Sequence, residues 1–384
     1  MRFWRQYVGV FAVPLLCGHL LAQPAAPSSA APVLLSRSMV FNYPETDPYD
    51  PGNRYGFNHA PSVVQLKSGD LLCAWFSGPH EAAVNQLILA SRSHDEGQTW
   101  EKAFVLHRTL HKSDFDPAFI ADGDRTWAFF SSGRWDRYPF VEDEHEGGVG
   151  VASYHTNYMF STDSGQTWSA PVAFPKTFFC RSNGIKLSSG ELLLPVYSIK
   201  PDGDDDKDRA LRSTDDGKSW TLGEGVSCPG GTDEPSIAEV SDGRVIMILR
   251  TRDGFLWRSY SSDKGQTWGP PIKSDVPAAA ASNNVFRLRD GRLALTHSPC
   301  PPNFRTPLTI RISSDDGQTW GSPLQLAEAV PPPKASEHQV TYPSVTQVSD
   351  GTLVVVWTEI FISDNVQYGD IWSARVRIPP IGQP

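Results

Sequence analysis

Three absences narrow the class of this chain before any motif is read. It has no Cys-x-x-Cys pair and no His/Cys cluster, so nothing in it reads as a metal centre, and no cofactor is expected. It has no basic run. Lys and Arg total 34 against 43 Asp and Glu, a formal charge of −9, which disfavours nucleic acid as a partner. It has no long apolar run either. Tyr7–Cys17 is mainly apolar, but it is short and broken by Pro14, so no membrane span is expected.

That stretch fits export instead. Arg2 and Arg5 precede it, and Leu20-Leu21-Ala22 follows as a cleavage site, so residues 1–22 read as a secretory signal. Leu16 before Cys17 argues against lipid attachment there. Residues 23–32 are rich in Ala, Pro and Ser and read as a flexible leader. Losing Arg2 and Arg5 takes the charge from −9 to −11. The expected location is secreted or periplasmic. Cys73, Cys180, Cys228 and Cys300 remain, and an oxidising compartment permits disulfides among them. Cys73 lies within an apolar strand and reads as a buried thiol.

What the chain does have is one phrase written five times. Ser-x-Asp-x-Gly-x-Thr/Ser-Trp occurs at Ser93–Trp100, Ser161–Trp168, Ser213–Trp220, Ser261–Trp268 and Ser313–Trp320. The intervals are 68, 52, 48 and 52 residues. A period near fifty in a strand-rich chain indicates a propeller. Within the phrase, Asp accepts from backbone N–H groups downstream, Gly supplies positive φ, and Trp wedges against neighbouring structure. Five equivalent turns around a ring cannot converge on one ligand, so these Asp residues read as structural.

A second signal, out of phase with the first, counts the blades. Ser-Gly or Asp-Gly between apolar runs marks a hairpin. Six occur, at Gly69, Gly123, Gly190, Gly243, Gly291 and Gly351. Six hairpins and five octapeptides predict six four-stranded blades over residues 33–380, the fourth strand of a blade beginning at the octapeptide Trp. The last blade ends on a third strand near Asp370–Ile378, and Val33–Asn42 is placed to complete it and protect its edge. The predicted fold is therefore an all-β six-bladed propeller.

In such a ring the starts of the six inner strands converge on one face. Those starts hold His59, Asp116, Arg181, Glu234, Asn283 and Tyr342. Arg250 ends the second strand of Glu234's blade. A ring of charged, amide and aromatic residues at one convergence point reads as a ligand site. Each member has a plainer reading as well. Tyr342 could pack on the axis, Glu234 and Asp116 could close turns, and His59 could bind a loop. The acidic stretch Asp202–Asp208 reads as a solvated loop. The insertion Arg134–Asn157 reads as a loop lengthening blade 2.

The octapeptide resembles the Asp-box, or bacterial neuraminidase repeat, of the sialidase superfamily. The resemblance extends over nearly all of the chain after the leader. It is closest where the blades open, at His59-Ala60-Pro61-Ser62, Glu234-Pro235-Ser236-Ile237 and Tyr342-Pro343-Ser344-Val345. It implies Tyr342 as nucleophile, Glu234 as its polarising partner, and Arg250 as a grip on a substrate carboxylate. A phenol suits an anionic sugar, which would repel a carboxylate nucleophile. The chain also departs from the family. His59-Ala60-Pro61 stands where an Arg-Ile-Pro motif is expected. Gly78–Asn85 lacks the acid/base Asp, leaving Glu81 as the residual acid. No third Arg stands near Ser282-Asn283-Asn284, although Arg181, Arg252 and Arg305 are candidates to replace it in space. Catalytic candidates are thus Tyr342, Glu234, His59 and Glu81, and substrate-binding candidates are Arg250, Arg181, Asn283 and Asp116. The expected function is an exported, exo-acting glycoside hydrolase on terminal acidic sugars, with a glycan or oligosaccharide as partner. A uronate-polysaccharide lyase or His-dependent glycosidase, and a non-catalytic carbohydrate-binding propeller, are the alternatives.

Overall fold

The structure is a computed structural model. It describes residues 31–42, 55–135, 151–198, 207–300, 305–327, 338–363 and 366–381. The expected export signal and residues 23–30 of the leader lie outside the described residues. Among those described, the regular elements are strands, grouped into six antiparallel sheets. Blade 1 runs Phe57–Gln65, Leu71–Gly78, Leu87–Ser93 and Phe104–His107, paired in that order. Blades 2, 4 and 5 repeat this order from inner strands Ser113–Asp122, Asp233–Glu239 and Asn284–Arg287. Blade 6 consists of His338–Gln347, Leu353–Ser363 and Val366–Arg377, and Val33–Phe41 pairs with the last of these as its outer strand. Leu34 faces Val376 and Met39 faces Trp372, so the two ends of the propeller meet in one sheet.

Each hairpin Gly begins an apolar second strand, and alternate residues of those strands fill the seams between blades. Blades 6 and 1 share such a seam, with Val354, Val356 and Ile371 packed among Leu71, Cys73 and Trp75. Each large side chain buried there contributes roughly 1.5–3 kcal/mol. The four cysteines described are free thiols, three of them buried. Cys73 is a buried thiol as expected, and it lies in this seam.

The octapeptides are turns, as their chemistry requires. Asp95 accepts from the backbone N–H groups of Gln98 and Thr99 at 3.1 and 2.9 Å and from Thr99 Oγ1 at 2.6 Å. Asp163, Asp215, Asp263 and Asp315 accept likewise from the Thr or Ser four residues on. The residue before each Gly also holds a positive φ, from Ser164 at 56° to Lys264 at 62°. The turns have a second duty that the sequence did not show, since neighbouring blades clasp their carbonyls. Arg92 donates to Ser164 and Gly165, Arg125 to Asp216, Arg212 to Lys264 and Tyr260 to Asp316.

Four expectations need correction. The fourth strands do not begin at the octapeptide Trp. Four of the five begin four residues later, and Thr221–Leu222 alone follows its Trp directly. Pro171, Pro270-Pro271 and Pro323 delay pairing in three of them, because Pro lacks the ladder N–H. The inner strand of blade 3 is split into Phe179–Cys180 and Ile185–Lys186. The two ends of the Arg134–Asn157 insertion are strand rather than loop, since Arg125–Trp135 and Val151–Ser161 pair with each other, and residues 136–150 lie outside the described residues. Asp208 is not solvated. It is fully buried in a strand and accepts from Thr232 Oγ1 at 2.5 Å, and burial pushes its carboxyl far above the usual range.

Candidate active site

Four of the six inner strands carry the same irregularity. Their register breaks between His59 and Ser62, Phe115 and Ala118, Asp233 and Ser236, and Thr341 and Ser344. Within each break stands a residue in the left-handed region: Ala60 (φ 56°), Asp116 (54°), Glu234 (48°) and Tyr342 (59°). A proline follows every one of them. Residues before proline normally adopt extended backbone, and a non-glycine residue held left-handed costs on the order of 1–3 kcal/mol. Such a bulge breaks the alternation of faces and re-aims a side chain. Blades 2, 4 and 6 thereby present Asp116, Glu234 and Tyr342 from equivalent positions. In blade 1 the equivalent residue is Ala60, and His59 before it enters the site instead.

Tyr342 and Glu234 meet directly. The Tyr342 hydroxyl donates to Glu234 Oε1 at 2.8 Å and accepts from Arg250 Nη1 at 3.1 Å. Arg250 also pairs with Glu234 Oε2, and its Nε lies 3.1 Å from Asp233 Oδ1. Burial raises the Glu234 carboxyl, but the charges of Arg250 and Arg181 and the bond from Tyr342 outweigh this and hold it below the usual range. Burial and the Glu234 charge push the Tyr342 phenol well above its ordinary value. The site therefore holds a neutral phenol on an ionised carboxylate.

The His59 ring lies 4.1 Å from the Tyr342 ring. Burial and the charges of Arg181, Arg305 and Arg250 drive its pKa well down, so the imidazole is neutral. Glu81 lies on the blade 1 loop between Gly78 and Gln86. Gln86 braces that loop by donating to the Asp114 carbonyl at 2.9 Å and accepting from Ala82 N at 3.0 Å. Glu81 is open to solvent yet walled by protein. Burial of its carboxyl and the nearby Glu234 raise it, against Arg305 and Arg250. Asp116 is pushed up to about 8 by burial, with Arg181 opposing and Glu234 and Glu81 adding, and Tyr197 Oη stands 3.5 Å from its Oδ2. Tyr342, Glu234, Arg250 and His59 are therefore in contact, with Glu81 and Asp116 within electrostatic reach.

Two substrate-binding candidates are placed differently. Arg181 is 1% exposed, and its guanidinium lies beneath the Tyr342 ring, 5.0 Å from the centroid. Asn283 is fully buried and accepts from Ser236 Oγ at 2.8 Å. Both are enclosed by protein, Arg181 against the Tyr342 ring and Asn283 against Ser236. Of the candidates to replace the missing arginine, Arg305 reaches the site, 5.7 Å from the Tyr342 ring centroid, and forms no ion pair among the described residues. Arg252 turns toward Asp233 at 3.7 Å with most of its side chain exposed. No spacing marks Arg305 in the sequence, because its loop lies outside the strand repeat. Among the described residues no group of His, Cys, Asp and Glu could hold a metal ion.

A model of the BNR repeat-like domain matches residues 69–355. The chain belongs to this family, within the sialidase superfamily of BNR propellers. It is 28% identical to a sialidase of Micromonospora viridifaciens, over 91% of this chain and 57% of that protein. It is 27% identical to a sialidase of Bacteroides fragilis, over 69% of this chain and 54% of that protein. The chain thus spans little more than half the length of these curated relatives. Among solved structures, a Dyadobacter fermentans protein of unknown function aligns with TM-score 0.71 and 17% identity, covering 90% of this chain and 99% of that one. A Streptococcus pneumoniae sialidase aligns with TM-score 0.68 and 14% identity, over 88% and 70%. These structures share the BNR propeller fold.

Proposed function

We propose that the chain is an exported, exo-acting glycoside hydrolase that removes a terminal acidic sugar. One observation carries this reading: the Tyr342 hydroxyl is held between Glu234 and Arg250 and donates to the carboxylate that would take its proton in the transition state. A phenol is a weak nucleophile until an adjacent base takes its proton. In the first step Tyr342 Oη bonds to the anomeric carbon, its proton passes to Glu234, and the glycosidic C–O bond breaks. The leaving oxygen takes a proton from Glu81, whose pKa is raised by burial of its carboxyl and by the nearby Glu234 charge. Water then attacks the tyrosyl–sugar bond, with Glu81 as base, and Glu234 returns the proton to Tyr342. Arg305, uncommitted to any carboxylate among the described residues, faces the substrate's acidic group, and Asp116 a polar group on the ring. The sialidases named among the relatives support this substrate class.

A second reading has its own observation. His59 is a neutral imidazole beside Tyr342, and the Gly78–Asn85 loop contains no Asp. A neutral base beside a phenol suits β-elimination of a uronate, the imidazole taking the C5 proton and the phenol protonating the departing oxygen. Incubation with a panel of sialylated and uronate-containing glycans, followed by mass analysis, separates the two. Gain of one water per cleavage supports the hydrolase. An unsaturated product absorbing in the ultraviolet, without water gain, supports the lyase. Binding without product would overturn both.

A further inference from the structure

Arg181 is a cation in a costly place. It is almost completely buried and forms no ion pair among the described residues. Its Nη2 donates to the Tyr342 carbonyl at 3.0 Å, while its guanidinium stands 3.4–3.5 Å from the Pro61 carbonyl and its Nε has no partner among the described residues. A buried charge is tolerated where charges or strong bonds compensate it. Two carbonyl contacts do so weakly. The remaining compensation comes from the charge of Glu234 and the Tyr342 ring face, with Asp116 adding to it once that group ionises near pH 8, all on other blades.

The chain is shaped to deliver this cation. Blade 3 has no pre-proline bulge, and its inner strand is interrupted at Arg181–Gly184. Gly184 is required there, because a Cβ would meet the Leu193 carbonyl at 2.3 Å and Ile120 at 2.6 Å. The interruption turns Arg181 toward blades 1 and 6. Asn183 beside it donates to the Val63 carbonyl and accepts from Phe119 N, both at 2.8 Å.

We propose that Arg181 is a positioning residue, a buried cation that pins the strained backbone of Tyr342 and sets the charge balance of Glu234, Asp116 and His59 without touching substrate. This deepens the hydrolase reading and rests on it. The pin acts at the carbonyl of a residue held at φ 59°. Its charge lowers the pKa of Glu234, of Asp116 and of His59. The other ionisable groups of this site are Glu81 from blade 1, Cys180 and Tyr197 from blade 3, and Asp233 and Arg250 from blade 4. Arg305 on blade 5, the Tyr342 phenol and the buried Asp208 of blade 3, which lies in the field of Asp233, Glu234 and Arg250, belong to it as well.

Two variants test the role, each read in two ways. The first reading needs no substrate: melting temperature against pH for wild type, Arg181→Met and Arg181→Lys. Asp116 ionises in the folded protein near 8, far above its unfolded value, so stability falls as pH rises toward that point and then levels. Without Arg181 the group ionises later. Arg181→Met should therefore keep losing stability after wild type has levelled, and the gap between them should widen above about pH 8. Arg181→Lys keeps the charge, so its gap should stay flat. The second reading is kinetic, on any glycan that wild type cleaves. Arg181→Lys should lower kcat about tenfold or more with KM within about twofold, because the pin is lost and substrate contacts are not. A flat gap for Arg181→Met overturns the electrostatic role. A raised KM with kcat intact for Arg181→Lys shows contact with substrate and overturns the positioning role. If Arg181→Met does not fold, the Lys variant decides: loss of kcat with a flat gap supports the proposal, and wild-type kcat overturns it. If wild type cleaves no glycan, the hydrolase reading falls, while the melting comparison still decides the electrostatic part.

Discussion

Replacing Tyr342 with Phe separates chemistry from structure at this site. The ring stays, and with it the packing on His59 and the stacking over Arg181 and Arg305. Only the hydroxyl goes. Two hydrogen bonds go with it, one to a carboxylate and one from a guanidinium. Bonds to charged groups contribute about 1.5–3 kcal/mol each. The Glu234–Arg250 pair survives the change, so neither charge is stranded, and the net cost should fall near the lower end, about 2 kcal/mol. At about 2.1 cal/mol/K per residue of unfolding entropy, that lowers the melting temperature of a propeller this size by only about 3 °C. Turnover should fall far more. Losing the nucleophile should cost about a thousandfold or more, or about 4 kcal/mol in the barrier. The assay pairs a melting curve with glycan cleavage followed by mass analysis. A Phe variant that melts near wild type and cleaves within about tenfold of it would refute Tyr342 as nucleophile, and His59 would become the leading catalytic group.

Other outcomes are open to measurement. Asp116→Asn should gain stability relative to wild type as pH rises from 5 toward about 8, because a carboxyl pushed up by burial becomes costlier to keep folded across that window; melting curves at stepped pH would read it, and a constant difference would count against the neutral acid. Asp263→Ala removes the acceptor for Gln266 N, Thr267 N and Thr267 Oγ1, so melting temperature should drop while kcat holds; a folded but inactive variant would contradict a purely structural turn. Deleting Val33–Phe41 bares the edge strand Val366–Arg377, and an early melting transition with aggregation is expected in light scattering. Protein recovered from outside the cytoplasm should begin at Gln23 or within a few residues by N-terminal sequencing, and an intact Met1 on exported protein would refute cleavage there.

Much of this protein was legible in its residues because the deciding interactions are local. Asp95, Gly97 and Thr99 close their turn within five residues, so the octapeptide could be read as a turn without knowing what lies beside it. Six Gly-centred hairpins counted six blades for the same reason, and an outer strand missing at one end pointed to Val33–Asn42 at the other. Tyr342, Glu234 and Arg250 could be grouped because each lies at a known end of a strand in a repeating unit. What stayed hidden depends on distances across the axis and between blades. Nothing local separates Arg181, enclosed beneath the Tyr342 ring, from Arg305, which lies only partly buried near the same ring. Local chemistry argued against the left-handed backbone at Asp116, Glu234 and Tyr342, since each precedes proline; the packed ring imposes it. Asp208 reads as one more residue of an acidic loop until the strand carries it into the interior. His59 reads as a titratable base until three guanidinium groups from three other blades converge around it and hold it neutral. Pattern along the chain determines which strands form and in what order. The charge state and orientation of the central groups arise only when six blades bring them within a few ångströms of one another.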